Sequence, residues 1–175
     1  RGTFQLHLVP SGICWSQVYG IIGNGVVVDP DVLMGELSQL ASRGIDTGKL
    51  FVSERAHLIM PYHILLDSLE EEARGTGAIG TTGRGVGPAY VDKVARAGIR
   101  VCDLLDWDAL VPRLEETVAA KNAVITNIHG GDAVVLEDIL DKCRNWVGQL
   151  RPFARPTEQI VQDLLAEGKR VLLEG

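Results

Sequence analysis

Apolar residues recur along this chain at two spacings, and the balance between them shifts near residue 100. Thr3 to Val9 alternates, with Phe4, Leu6 and Leu8 on one side, which predicts a strand closed by a turn at Pro10-Ser11-Gly12. Ile21 to Val28 is apolar and rich in β-branched residues, a buried strand interrupted by the glycines of Gly23-Asn24-Gly25. Asp29-Pro30-Asp31 is a helix start, because proline pre-sets φ and an aspartate caps orphan N–H groups. Val32, Leu33, Leu37, Leu40 and Ala41 then follow at helical spacing up to Ser42, and Arg43-Gly44 ends the run. Lys49 to Ser53 is a further strand. Pro61 opens a second helix carrying Ile64, Leu65, Leu69 and the run Glu70-Glu71-Glu72, which the pattern assigns to a solvated face.

After Gly98 the pattern becomes helical. Helices are predicted over 110–128, 133–150 and 156–167, with turns at His129 to Asp132 and at Arg151-Pro152. Asp132 is the expected N-cap of the middle helix, ahead of a stripe of Val135, Leu136, Ile139 and Leu140. Lys169 to Glu174 returns to a strand pattern. The expected class is α/β with a mostly parallel sheet and an all-helical subdomain: an α/β part over 1–100, the helical subdomain over 101–167, and a returning core strand over 168–175. Strands at both ends need neighbours to pair with. Together with the missing initial Met and the stop at Gly175, this predicts a piece of a longer chain.

Composition narrows the function. The chain is 46% hydrophobic and 23% charged, within the ordinary globular range, and its net charge of −6 argues against a nucleic-acid-binding surface. No run of about 18 apolar residues is present to span a membrane. Cys14, Cys102 and Cys143 are odd in number, far apart and without a CxxC pair; three buried thiols in a reducing compartment predict a cytoplasmic location.

The segment from Arg74 to Tyr90 carries the chemistry. Six of the thirteen residues from Gly75 to Gly87 are glycine, a density with a large entropic cost. Successive N–H groups of such a loop can curl around an anion, with hydroxyls from Thr81 and Thr82 and the guanidinium of Arg84 beside them. Composition alone leaves an unliganded surface loop equally open. Gly75 to Gly80 fits GxGxxG, but a helix precedes it and more glycine follows, the reverse of a dinucleotide fingerprint. No Walker A sequence occurs. Beyond the loop, Lys93, Arg96 and Arg100 fall at helical spacing on one face, either a solvated face paired to Asp92 or Asp103 or an anion site. None of His7, His57, His63 and His129 has metal-ligand spacing to another ligand type, and each is expected to be structural or superficial.

The continuous stretch from Ile79 to Arg96 resembles a signature of adenylosuccinate synthetases. Leu6 to Gly12, Gly23 to Val27, and Val171 to Gly175 are similar to that family in the same order and spacing. The resemblance implies an enzyme that ligates IMP to L-aspartate with GTP and Mg²⁺, in two steps: phosphorylation of the 6-oxygen of IMP, then displacement by the aspartate amine. It implies a P-loop NTPase-like sheet and a homodimer. It places the family's catalytic aspartate, catalytic histidine and GTP loop ahead of Arg1, and the later substrate and guanine contacts after Gly175. No catalytic or metal-binding residue is therefore expected here, and the chain alone is expected to be inactive. Two roles carry over: Thr82 to the IMP 5′-phosphate, with the backbone of Gly80, Thr81 and Gly83 around it, and Arg96 to the IMP of the neighbouring subunit. Within the IMP-phosphate loop, 72–87, the resemblance implies that the segment around Glu72 to Gly83 is mobile without IMP and orders when it binds. Ala97 stands where family members often carry a second basic residue. The alternative is a non-catalytic phosphate-binding or dimerisation module built on the same fold.

Overall fold

A computed structural model describes residues 5–77 and 80–174. Strands β1 (Gly20–Ile22), β3 (Leu50–Ser53) and β5 (Ala154–Arg155) form a parallel sheet in the order β1-β3-β5. Gly20 pairs with Leu50 at one side of β3, and Val52 with Ala154 at the other. A second parallel pair joins β2 (Val27–Val28) to β4 (His57–Leu58). The glycine break expected within 21–28 thus separates strands of two different sheets. Helices α1 (Pro30–Ser42), α2 (Pro61–Arg74), α3 (Val86–Ala95), α4 (Trp107–Asn127), α5 (Leu136–Leu150) and α6 (Thr157–Ala166) supply the rest.

Local chemistry accounts for α1. The Asp29 carboxylate accepts from the N–H groups of Asp31 and Val32, and Pro30 occupies the first turn. Its inner face buries Leu33, Leu37 and Leu40 in a core that runs on through Val52, Leu58, Tyr62, Leu114 and Ile139 to Trp146. That core crosses the sequence boundary near residue 100. α5 is bound to α1 by Trp146 Nε1 and Lys142 Nζ, which donate to the two Asp31 oxygens at 2.6 and 2.8 Å. Between α5 and α6 the chain drops back into the sheet as β5, so the helices α4, α5 and α6 of this span are interrupted by a strand and by the irregular stretch 128–135.

Two expected strands do not form among the described residues. Thr3 and Phe4 lie outside the described residues, and residues 5–9 are irregular. Their backbone donors go to a side chain instead of a ladder: the Glu36 carboxylate, 5% exposed, accepts from His7, Leu8 and Val9 N–H, the last at 2.9 Å. Pro10-Ser11-Gly12 leads into a 3₁₀ turn over Ser11–Cys14. At the other end, 169–174 forms no regular element, with Leu172 and Leu173 more than four-fifths exposed. A strand needs a neighbour for its N–H and C=O groups, and among the described residues none pairs with this backbone; Ser11 N–H and Oγ donate instead to the Glu174 carboxylate. Asp132 is not an N-cap: α5 starts at Leu136, four residues later, with no side-chain cap. Of the three cysteines only Cys143 is fully buried, its thiol pushed up to about 12 by desolvation; Cys14 and Cys102 are half-buried.

Candidate phosphate-binding site

α2 organises this region. It runs from Pro61, and its end passes through Gly75–Gly77 into the glycine-rich loop, of which Ala78 and Ile79 lie outside the described residues. Gly80, Gly83 and Gly85 have φ of +78°, +62° and +74°. Gly85 is the constrained position: a Cβ there would lie 2.8 Å from both the His63 carbonyl carbon and the Ile64 nitrogen. A bare backbone lets the loop press against the first turn of α2, where Gly85 N–H donates to the buried Asp67 carboxylate at 2.9 Å. α3 then begins at Val86 with no side-chain cap.

The loop itself is open. Gly80, Thr81, Thr82, Gly83 and Arg84 are all exposed. Gly80 N–H and, at 3.4 Å, Thr81 N–H donate to Glu71 Oε1. Successive amides of the loop therefore already hold a carboxylate, in the manner of an anion nest. Glu71, expected on a solvated face, is half-buried and turned towards the loop. Arg84 Nη2 lies 3.5 Å from His7 Nε2, on a groove of about 400 Å³ that Glu36, Ile64 and Gly83 also line.

The three cations beyond the loop do not share a face. α3 stops at Ala95, and Arg96 caps it in the left-handed conformation at φ 61°. Lys93 donates to the Asn24 and Gly25 carbonyls at 2.6 and 2.9 Å. Arg100, past the turn, pairs with Asp103 at 2.9 Å. Arg96, alone of the three, is exposed and makes no guanidinium hydrogen bond to another described residue, and it is the one non-glycine residue with positive φ among the described residues. Thr82 and Arg96 lie on opposite flanks of α3, whose ten residues rise about 15 Å.

Sequence reading missed a buried network behind α3. His63 Nδ1 accepts from Met60 N–H at 2.9 Å, so the ring proton sits on Nε2 and is donated to Asp92 Oδ2 at 3.0 Å. Lys121 Nζ of α4 meets the other oxygen, Oδ1, at 2.5 Å. Burial pushes His63 below the ordinary histidine value and keeps it neutral. Burial would raise Asp92, but the hydrogen bonds from His63 and Lys121 outweigh it and hold the carboxyl below its usual range. Twenty-nine residues separate His63 from Asp92, and as many separate Asp92 from Lys121, so no local spacing marks the contact.

The adenylosuccinate synthetase family model matches residues 1–175. This chain belongs to the adenylosuccinate synthetase family. It is 47% identical over 174 residues to the adenylosuccinate synthetase of Dehalococcoides mccartyi, covering 99% of this chain and 41% of that protein. The Moorella thermoacetica enzyme is 51% identical over 172 residues, covering 98% of this chain and 40% of the relative. Among solved structures, fully ligated adenylosuccinate synthetase from Plasmodium falciparum superposes with a TM-score of 0.83 at 26% identity, over 97% of this chain and 39% of that one. The chain thus spans about 40% of the length of the curated relatives it matches. The α/β class with parallel sheets agrees with that structural neighbour.

Among the described residues, no group of three or more His, Cys, Asp or Glu side chains is placed to hold a metal ion. None of their helices is long and apolar enough to cross a membrane.

Proposed function

We propose that this chain is the part of an adenylosuccinate synthetase that holds the 5′-phosphate of IMP, in an enzyme joining IMP to L-aspartate at the expense of GTP. The observation that carries the reading is the exposed loop at 80–84, whose Gly80 and Thr81 amides already gather around the Glu71 carboxylate and which leads through Gly85 into the uncapped start of α3. A phosphate is a stronger acceptor than a carboxylate and carries more charge. It gains from the amides, from the partial positive charge at the helix start, and from the hydroxyl of Thr82. Thr82 is the side-chain ligand in this reading, with Gly80, Thr81 and Gly83 contributing backbone.

Arg96 serves the neighbouring copy in a homodimer. Support comes from its distance from the loop, at the far end of a helix about 15 Å long, and from the outward side of α3. There Val91 is 65% and Val94 82% exposed, apolar surface suited to a second protomer. Mg²⁺ belongs to this reading through the intact enzyme. The same reading places the protein in the cytoplasm and assigns it to AMP biosynthesis. Since the chain spans about 40% of its relatives' length, the chain alone is expected to bind without turning over.

Calorimetric titration of IMP into the chain and into its Thr82→Ala variant tests the site. Weaker binding by the variant is expected, by roughly 1 kcal/mol or more for a lost charge-assisted bond. Equal binding removes Thr82 from the site. Adenylosuccinate formed by the chain alone from IMP, GTP and aspartate would overturn the division of labour.

A further inference from the structure

The Arg96 turn is unusual for what occupies it. A helix that ends in the left-handed region normally places glycine there, because a Cβ costs roughly 1–2 kcal/mol in that conformation. Here an arginine sits at φ 61°, and the surroundings hold it there. The Asp92 carbonyl accepts from Arg96, Ala97 and Gly98 N–H, the last two at 2.9 and 3.1 Å. The Gly98 carbonyl accepts from Arg113 Nη2 of α4 at 2.7 Å. The residue whose carbonyl gathers the turn is the same residue whose side chain is gripped from two sides, by His63 of α2 and Lys121 of α4. Its side chain is nearly inaccessible, and that of His63 is fully so.

We propose that Asp92 is the positioning residue for Arg96: anchored to α2 and α4, it fixes the turn that presents the arginine to a phosphate on a neighbouring copy. The proposal rests on the trans role of Arg96 given above. It adds a route by which both substrate-facing features depend on one helix. α2 receives the loop over its first two turns, where Gly85 packs on His63 and Ile64 and donates to Asp67, and receives the end of α3 through His63 and Asp92. A charged residue of long reach loses little of its contact energy to reorientation when its backbone is held in advance. Asp92 touches no substrate and contributes through Arg96 alone.

The test is a double-mutant cycle in the full-length enzyme that carries this segment, with Asp92→Asn, Arg96→Ala and the pair. Steady-state KM is read separately for IMP, GTP and aspartate, and thermal stability alongside. Asp92→Asn is expected to raise KM for IMP about five- to tenfold and leave KM for GTP within twofold. In the Arg96→Ala background the same substitution should add less than twofold, because the residue it positions is gone. A KM effect of equal size in both backgrounds overturns the proposal, as does an unchanged KM for IMP in the single variant. If Arg96→Ala itself leaves KM for IMP unchanged, the trans role fails first, and the two failures are told apart. Should Asp92→Asn not fold, Lys121→Gln removes one arm of the grip and enters the same cycle, with a smaller shift of the same sign expected and the same criterion for rejection.

Discussion

Replacing Arg96 by glycine separates what the backbone wants from what the side chain does. The arginine holds φ 61°, where a residue with a Cβ is strained by roughly 1–2 kcal/mol and glycine is not. Glycine gives back about 0.5–1 kcal/mol through the greater freedom of the unfolded chain. The net expectation is a gain of about 0.5–1 kcal/mol, or 1–4 °C in Tm for a domain of this size. The exposed guanidinium makes no hydrogen bond to another described residue, so its removal orphans no buried partner among them. The affinity of dimeric enzyme for IMP should fall in the other direction, by about 1.5–3 kcal/mol for a charge-assisted contact to phosphate, roughly ten- to a hundredfold. Arg96→Ala is the control, since alanine keeps the strain and loses the charge: the same loss of affinity without the gain in stability. Differential scanning calorimetry and IMP titration measure the two quantities independently. A drop in Tm of several degrees for the glycine variant would refute the reasoning, because it would mean the side chain supports the fold and not a ligand.

Three further outcomes follow from other contacts. Gly85→Ala places a Cβ 2.8 Å from two backbone atoms of α2 at a positive φ, and urea denaturation should show a loss of about 2–4 kcal/mol; less than 1 kcal/mol would mean the loop can shift away freely. Glu71→Gln keeps the shape but removes the charge that now occupies the Gly80 and Thr81 amides, so IMP should bind a few-fold more tightly, most visibly at low salt; weaker binding would show that Glu71 organises the loop and does not compete for it. Burial holds both His57 and His63 below the ordinary value, so the unfolded chain takes up protons first on acidification. Stability should then be complete above about pH 6.5 and decline below it, by at most about 1.4 kcal/mol per pH unit for the buried His63 and by less for the more exposed His57. His63→Gln should make the Tm-against-pH curve shallower between pH 6.5 and 5, and an unchanged slope would rule out a neutral His63 in the fold.

Features set by neighbours in sequence were the legible ones. Asp29-Pro30-Asp31 starts α1 as its capping chemistry requires, Pro61 opens α2, and Lys49 to Ser53 anticipates β3 to within one residue. The glycine density of 75–87 was visible as composition, and the loop geometry at Gly85 shows why it is needed. Errors arose where a distant group took over a local role. Residues 5–9 have the alternation of a strand, but the Glu36 carboxylate, about 28 residues away, takes their donors. Lys93, Arg96 and Arg100 have helical spacing, but α3 ends one residue before Arg96, and no glycine announces the stop. His63 carried no ligand spacing because its partner is brought in by tertiary packing of α2 on α3. Val171 to Leu173 has strand composition, yet composition cannot supply a hydrogen-bonding neighbour.

Pairing of Val52 with Ala154 joins residues 102 apart in sequence, and it covers the second side of β3, the middle strand of its sheet. On a ribosome the β1–β3 half emerges first, with one side of β3 bare until β5 has been made. At about 5–20 residues per second that wait lasts several seconds, long beside the microseconds in which isolated helices form. Contact order of this kind makes folding slow and puts the nascent intermediate, rather than the finished protein, at greatest risk of sticking to its neighbours. A chaperone that shields an open parallel edge during synthesis would therefore raise the yield of this chain more than any gain in its final stability.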